Sequence, residues 1–167
     1  MPEVVLVAGA NGAGKTTFAR QVLPVFYPGV SFLNVDEIQS EDHAFAHPVA
    51  AGRELLRRLD LAEGRRQSFA IETTLSSGMY VRRMNRWSTW AYRIQLHFIE
   101  VPSEEYAVHR VALRVAAGGH SVAEADVRRR FHRGIDLFQR VYKPLVDEWY
   151  HWFTDDGGLR LGEHHQR

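Results

Sequence analysis

The chain has 167 residues, of which 25% are charged and 45% apolar, a formal net charge of +1 and no cysteine. This is the composition of one ordinary globular domain, long enough to bury a core, and it excludes disulfide and thiolate-metal chemistry and any global field that draws a protein onto nucleic acid or a membrane surface. No apolar run approaches the roughly 20 residues of a membrane span, and the opening residues enter a strand with no basic or apolar leader, so the expectation is a cytoplasmic protein without a signal peptide.

Residues 3–8 form a short apolar run that predicts a buried strand. It leads into Gly9-Ala10-Asn11-Gly12-Ala13-Gly14-Lys15-Thr16, which fits the phosphate-loop pattern G-x-x-x-x-G-K-[ST]. Glycines let the backbone curl until successive N–H groups point at one anion, and the helix that follows adds its dipole. Lys15 brings a cation to the outer phosphates, and the Thr16 hydroxyl is placed to ligate Mg²⁺. Residues 9–17, including Thr17, are therefore the expected ATP-binding set. The helix from Thr16 is expected to end at Leu23, before Pro24.

A second strand is expected over 31–35, ending at Asp36. A helix starts at Pro48 and stops at Gly64, with Val49, Leu55, Leu56, Leu59 and Ala62 on one face. The third strand covers 67–71 and ends at Glu72-Thr73-Thr74, after which a helix opens near Ser76-Ser77. The fourth covers 92–101. Ser103 caps the next helix with Glu104 and Glu105 in its first turn, and Gly118-Gly119 stops it. Ser121-Val122-Ala123-Glu124 reads as a capping box. The helix it opens carries Val127, Phe131, Ile135, Phe138, Tyr142 and Leu145 at steps of three and four, with Pro144 as its break. Residues 149–153 are a last strand or the end of that helix, and 162–167 read as a loose tail. Alternating strands and helices predict an α/β fold with a parallel sheet.

Two acids follow predicted strands at the edge where the phosphate loop lies, which is where open parallel sheets bind ligands. Asp36 is suited to take a proton from an attacking hydroxyl or to reach Mg²⁺ through water, and otherwise caps the turn after it. Glu72, helped by Thr73, is suited to substrate hydroxyls or the metal shell, and otherwise marks a helix start. Arg110 and Arg114 share a helix face, and Arg128, Arg129, Arg130 and Arg133 follow the glycine hinge. Arginines clustered without acids repel one another, so the hairpin over about 103–143 reads as a lid that meets phosphate. The alternative is a solvated face paired to Glu124 and Asp126. His43 and His47 lack the glutamate of a zinc helix. Arg82, Arg83 and Arg86 near Trp87 and Trp90 read as an exposed face beside core tryptophans. There is no LSGGQ-like signature, and no obvious apolar strand ending in a Walker B acid.

With these residues in place the chain resembles the zeta-toxin-like P-loop kinases. The resemblance rests on residues 7–17, 34–38, 71–76, 110–115, 118–120 and 128–131, and spans about 3–153. It implies a P-loop NTPase three-layer sandwich with a mostly parallel sheet of about five strands and a helical-hairpin lid, forming one domain over 1–167. It implies an ATP-dependent kinase core using ATP and Mg²⁺. Zeta toxins phosphorylate a sugar hydroxyl of UDP-N-acetylglucosamine and are held inactive by an antitoxin. The expected partners are thus a small-molecule hydroxyl acceptor and an antitoxin, with no membrane and no nucleic acid. Carried over, Lys15 and Thr16 bind phosphates and metal, Asp36 is the base, Glu72 contacts substrate, and Arg114 with Arg129 or Arg130 serves the lid. Two other classes fit the same loop: a nucleotide-dependent switch that binds a protein partner, and a polynucleotide 5′-hydroxyl kinase using Arg82, Arg83 and Arg86.

Overall fold

The structure, a computed structural model, describes residues 1–45 and 47–167. Its elements run β1 (Glu3–Gly9), α1 (Lys15–Phe26), β2 (Ser31–Leu33), α2 (Val35–Glu41), α3 (Pro48–Gly64), β3 (Phe69–Thr73), α4 (Val81–Thr89), β4 (Arg93–Glu100), α5 (Glu104–Ala116), α6 (Glu124–Leu137), β5 (Glu148–Asp155) and β6 (Gly158–Gln166). The six strands form one sheet in the order β2-β3-β1-β4-β5-β6, parallel except for β6. β1 is central. Val4 to Ala8 are fully buried, as expected of a strand covered on both faces.

Side chains alternate across the sheet into two cores. Leu6, Phe69, Ile94, Leu96 and Phe98 face α3, α4 and the end of α6. Val5, Val7, Ile99 and Val101 face α1 and α5. The expected three layers are present. The apolar stripe of α6 serves both cores: Val127 and Phe131 join the α1 side, Ile135, Phe138 and Tyr142 the α3 side. A single π turn over Phe138–Tyr142 and a 3₁₀ turn at Lys143–Leu145, holding Pro144, end this helical stretch.

Several boundaries differ from expectation for local reasons. α1 runs through Pro24 to Phe26, because the proline lies one turn from the end and Tyr27 N–H still reaches the Leu23 carbonyl at 2.9 Å. β2 stops at Leu33, since Asn34 caps α2 by accepting the Asp36 N–H at 2.8 Å. α4 begins at Val81 rather than near Ser76. Thr73 Oγ1 accepts the Leu75 N–H at 3.0 Å and Thr74 pairs with Ser76, so side chains compete there with a helical backbone. Ser121 makes no capping box. α6 starts at Glu124 with Ala123 as its cap, and Glu124 is drawn forward to Arg128. Residues 149–153 are strand, and the expected tail is instead β6, reached through a turn in which Asp155 Oδ1 accepts the Gly157 N–H at 2.8 Å. Every residue of β6 is exposed, and its alternation stops after Leu159 and Leu161, so the polar stretch 162–166 has no apolar face to mark it as strand.

Beneath β4, His97 is 4% exposed against Phe18, Tyr150 and Trp152. Its Nδ1 accepts the Trp152 Nε1–H at 3.2 Å, which leaves the proton on Nε2, 2.9 Å from the Tyr27 hydroxyl. That hydroxyl donates onward to Gln95 at 2.7 Å. Burial drives the imidazole from 6.5 down to about 4. The unfolded chain therefore binds a proton that the folded chain refuses between these values. The contribution to stability is complete above pH 6.5 and is lost as pH falls to about 4, by up to about 3 kcal/mol. Urea unfolding at pH 7 and pH 4.5 is expected to show this loss in the wild type, and a shallower loss in His97→Gln.

Candidate active site

The phosphate loop leaves β1 at Gly9 and enters α1 at Lys15. Gly9 has φ of +143°, and a Cβ there would stand 2.2 Å from the Ile99 carbonyl oxygen. Only glycine lets β1 turn this close to β4. Gly14, also in the left-handed region at φ +83°, opens α1. Ala13 N–H closes the turn onto the Ala10 carbonyl at 3.2 Å.

Lys15 is 6% exposed, and its Nζ donates to the Ala10 carbonyl at 2.9 Å and lies 3.7 Å from Glu72 Oε1. Burial lowers the ammonium from its ordinary value, while Glu72 and Asp36 pull the other way. Thr16 Oγ1 donates to Glu72 Oε2 at 2.7 Å, and Asn34 Nδ2 donates to the same oxygen at 2.8 Å. Glu72 therefore stands beside the loop threonine at the end of β3, the apolar strand next to β1. This is the place a Walker B acid takes when it shares a metal with the loop hydroxyl. The strand expected at 67–71 is this one, but the apolar run Phe69-Ala70-Ile71 is too short to mark Glu72 as a Walker B acid from sequence. Thr17 is exposed on the outer side of α1. Thr73 lines the adjoining cavity, its hydroxyl accepting from Leu75.

Asp36 lies in the first turn of α2. Its Oδ2 is 3.9 Å from Arg114 Nη1, and its Oδ1 is 3.8 Å from His120 Nδ1. Two cavities meet at this carboxylate. The larger, of about 840 Å³, runs from Lys15, Glu72 and Asn11 past Arg130 and Arg133 to an apolar end at Leu55, Met79 and Tyr80. The smaller, of about 660 Å³, lies between Thr16 and Arg20 of α1, α2, and the α5–α6 turn.

The arginines divide. Arg128 is tied to Glu104, Glu105 and Glu124, and Arg129 to Asp126 at 2.7 Å. The premise that the cluster lacks acids fails for these two: Glu124 and Asp126 of α6 pair with them locally, and the hairpin brings Glu104 and Glu105 of α5 to Arg128. Arg130 instead reaches Asn11 Oδ1 of the phosphate loop at 3.3 Å. Arg133 lines the larger cavity with no ion pair among the described residues, and Arg110 lies over the Tyr106 ring. Arg83 and Arg86 are bound to Glu63, so they are structural. His47 caps α3, accepting the Val49 N–H at 3.2 Å, and no cluster of three or more His, Asp or Glu placed for a metal occurs among the described residues. The sequence reading did not single out Asn34 as a site residue. Its signal is the cap pattern ahead of Asp36.

A phosphate loop at the centre of a mostly parallel sheet, an acid beside its threonine, and arginines arriving from a helical hairpin define a P-loop kinase-like protein. The chain belongs to the zeta toxin family, whose model matches residues 1–141. It is 26% identical over 132 residues to an uncharacterized protein of Haemophilus influenzae, which covers 77% of this chain and 92% of that one. A chain of the PezAT chromosomal toxin–antitoxin system of Streptococcus pneumoniae shares the fold with a TM-score of 0.70 at 17% identity, covering 98% of this chain and 72% of that chain. A chain of the AvrRxo1-ORF1:ORF2 complex with ATP has a TM-score of 0.70 at 16% identity, covering 98% of this chain and 58% of that chain. The protein thus spans little more than half of the AvrRxo1 chain. No helix among the described residues is long and apolar enough to cross a membrane.

Proposed function

We propose that this protein is an ATP-dependent kinase that moves the γ-phosphoryl group to a hydroxyl of a small molecule bound in the larger cavity. The observation that carries the reading is the convergence of Lys15, the Thr16–Glu72 pair, Asp36 and Arg130 on one cleft. Thr16 Oγ1 and Glu72 Oε2, with Asn34 Nδ2 steadying the carboxylate, form an oxygen donor pair that fits a hard divalent cation. Thr16 and Glu72 would hold Mg²⁺, which when bound would neutralise charge on the phosphates.

The chain's own residues do the rest. Loop N–H groups and Lys15 hold the β- and γ-phosphates, which replace Glu72 as the anionic partner of a buried ammonium. Asp36 accepts the proton as the acceptor oxygen bonds to the γ-phosphorus. The bond to the bridging oxygen breaks, and ADP leaves. Arg130, already at the loop, meets charge on the transferring group, and Arg114 serves with it. Arg129, paired to Asp126, has the weaker claim. The hairpin over about 103–143 acts as a lid that excludes water. The basic wall and apolar end of the cavity suit an anionic acceptor with a less polar portion, which includes nucleotide-sugars. An antitoxin protein is the partner suggested by the toxin–antitoxin neighbour.

The test is Mg²⁺-ATP turnover with a panel of hydroxyl acceptors, including UDP-N-acetylglucosamine, nucleosides and RNA ends, with products identified by mass. A phosphorylated small molecule is expected from the wild type, and Asp36→Asn is expected to lower its formation about 10²- to 10⁴-fold. Near-normal transfer by Asp36→Asn would remove the base assignment. Tight ATP binding without any product would favour a nucleotide-dependent switch instead.

A further inference from the structure

α2 fixes the backbone of Asp36: Asn34 accepts its N–H and Ser40 donates to its carbonyl. The basic side chains within 4.0 Å of its carboxylate are Arg114 and His120, one on each oxygen, and both come from the α5–α6 turn.

That turn is built to present them together. Gly118 takes φ of +88° and its N–H bonds the Val115 carbonyl at 2.9 Å. Gly119 N–H bonds the Arg114 carbonyl at 2.9 Å, and a Cβ on Gly119 would meet Arg114 Cγ at 2.7 Å. Glycine there lets the chain fold flat against Arg114. Arg114 Nη2 then donates to the His120 carbonyl at 2.9 Å. The guanidinium is clipped to the backbone of the residue whose imidazole faces the other carboxylate oxygen. Arg114 Nε is buried with no hydrogen-bond partner, so the guanidinium is only partly satisfied in this position. An arriving phosphate offers it better bonds. Were Arg114 drawn to phosphate, His120 would remain as the partner of Asp36.

We propose that His120 is a positioning residue for Asp36, holding the carboxylate in its reactive orientation when the α5–α6 turn is docked. The inference rests on the kinase reading above. It makes Asp36 competent beneath the docked hairpin, where Arg114 and His120 flank its two oxygens. His120 lines both cavities with Asn34, Asp36 and Arg114, which places it at the junction where donor and acceptor meet.

The experiment compares His120→Ala, His120→Asn and Asp36→Asn in the full chain. Asparagine puts an amide nitrogen near the position of imidazole Nδ1. His120→Ala is expected to lower kcat about 10²-fold with the ATP KM within about two-fold of wild type, and His120→Asn to recover most of the loss. A merely structural role would raise KM and gain nothing from asparagine. Full kcat in His120→Ala, with Asp36→Asn inactive, overturns the inference and leaves the kinase reading standing. Full transfer by Asp36→Asn removes Asp36 as the base and the inference with it, while the absence of any phosphorylated product from the wild type overturns the kinase reading itself. Hydrogen exchange supplies an arm that needs no turnover. Asp36→Ala is expected to speed exchange of the Gly118 and Gly119 amides several-fold by releasing the turn, and unchanged exchange overturns the contact on which the inference depends.

Discussion

Lys15→Ala is expected to remove most of the nucleotide-dependent stabilisation while leaving the protein folded. In the wild type, Mg²⁺-ATP at 100 times its Kd adds about 2.7 kcal/mol, which for a chain of this size raises Tm by roughly 5–10 °C. Lys15 is the buried cation at the phosphate position, so its loss removes most of that shift. It also lowers phosphoryl transfer by about 10²- to 10³-fold, the scale seen when one preorganised charge partner is deleted. Without nucleotide the variant is not expected to be less stable, because burial already disfavours the Lys15 ammonium. It leaves Glu72 bonded to Thr16 and Asn34. Differential scanning fluorimetry with and without Mg²⁺-ATP reads both quantities. A full shift in Lys15→Ala would mean that nucleotide binds elsewhere.

Glu63→Ala is expected to be the most destabilising surface-distant change. Glu63 sits at the end of α3, 4% exposed, and accepts from Arg83 and Arg86 of α4 and from the buried Trp87 indole at 3.0 Å. Arg83 is also tied to Asp60 at 2.9 Å. Deleting the carboxylate strands an indole N–H at full burial and two guanidinium groups. Breaking a buried pair in this way costs about 3 kcal/mol when one partner stays partly in water, as Arg86 does. That corresponds to a fall in Tm of about 10 °C. Glu63→Gln keeps an acceptor for Trp87 and is expected to lose about half as much. Arg82→Ala, on the exposed face of α4, is expected to change stability by less than about 0.5 kcal/mol. Equal stability of Glu63→Ala and wild type would show that α3 and α4 are joined by apolar packing alone.

The same cluster explains why the arginine-and-tryptophan segment reads ambiguously in sequence. Its charges are compensated by an acid about 20 residues upstream, a separation no local pattern reveals. The arginines of the α5–α6 hairpin present the converse case. Their number and the glycine hinge are visible in the chain, but their separate allegiances are not. Arg128 and Arg129 neutralise acids, and Arg130 reaches Asn11 across 119 residues of sequence.

What the sequence determined by itself is the part of this protein written in local physics. The phosphate loop needs glycines at set intervals and a lysine at one place, so Gly9 to Thr16 announce themselves. Central strands buried on both faces must be continuously apolar, so β1 and β4 are legible. Ser103 and Gly118 mark helix ends through their own backbone and side-chain chemistry. The tertiary structure decided what depends on pairing between distant segments: that Glu72 meets Thr16, that the α5–α6 turn brings Arg114 and His120 to Asp36, and that an exposed, mostly polar stretch becomes β6. A strand at a sheet edge is held by backbone hydrogen bonds to its neighbour, and those bonds carry no side-chain signature.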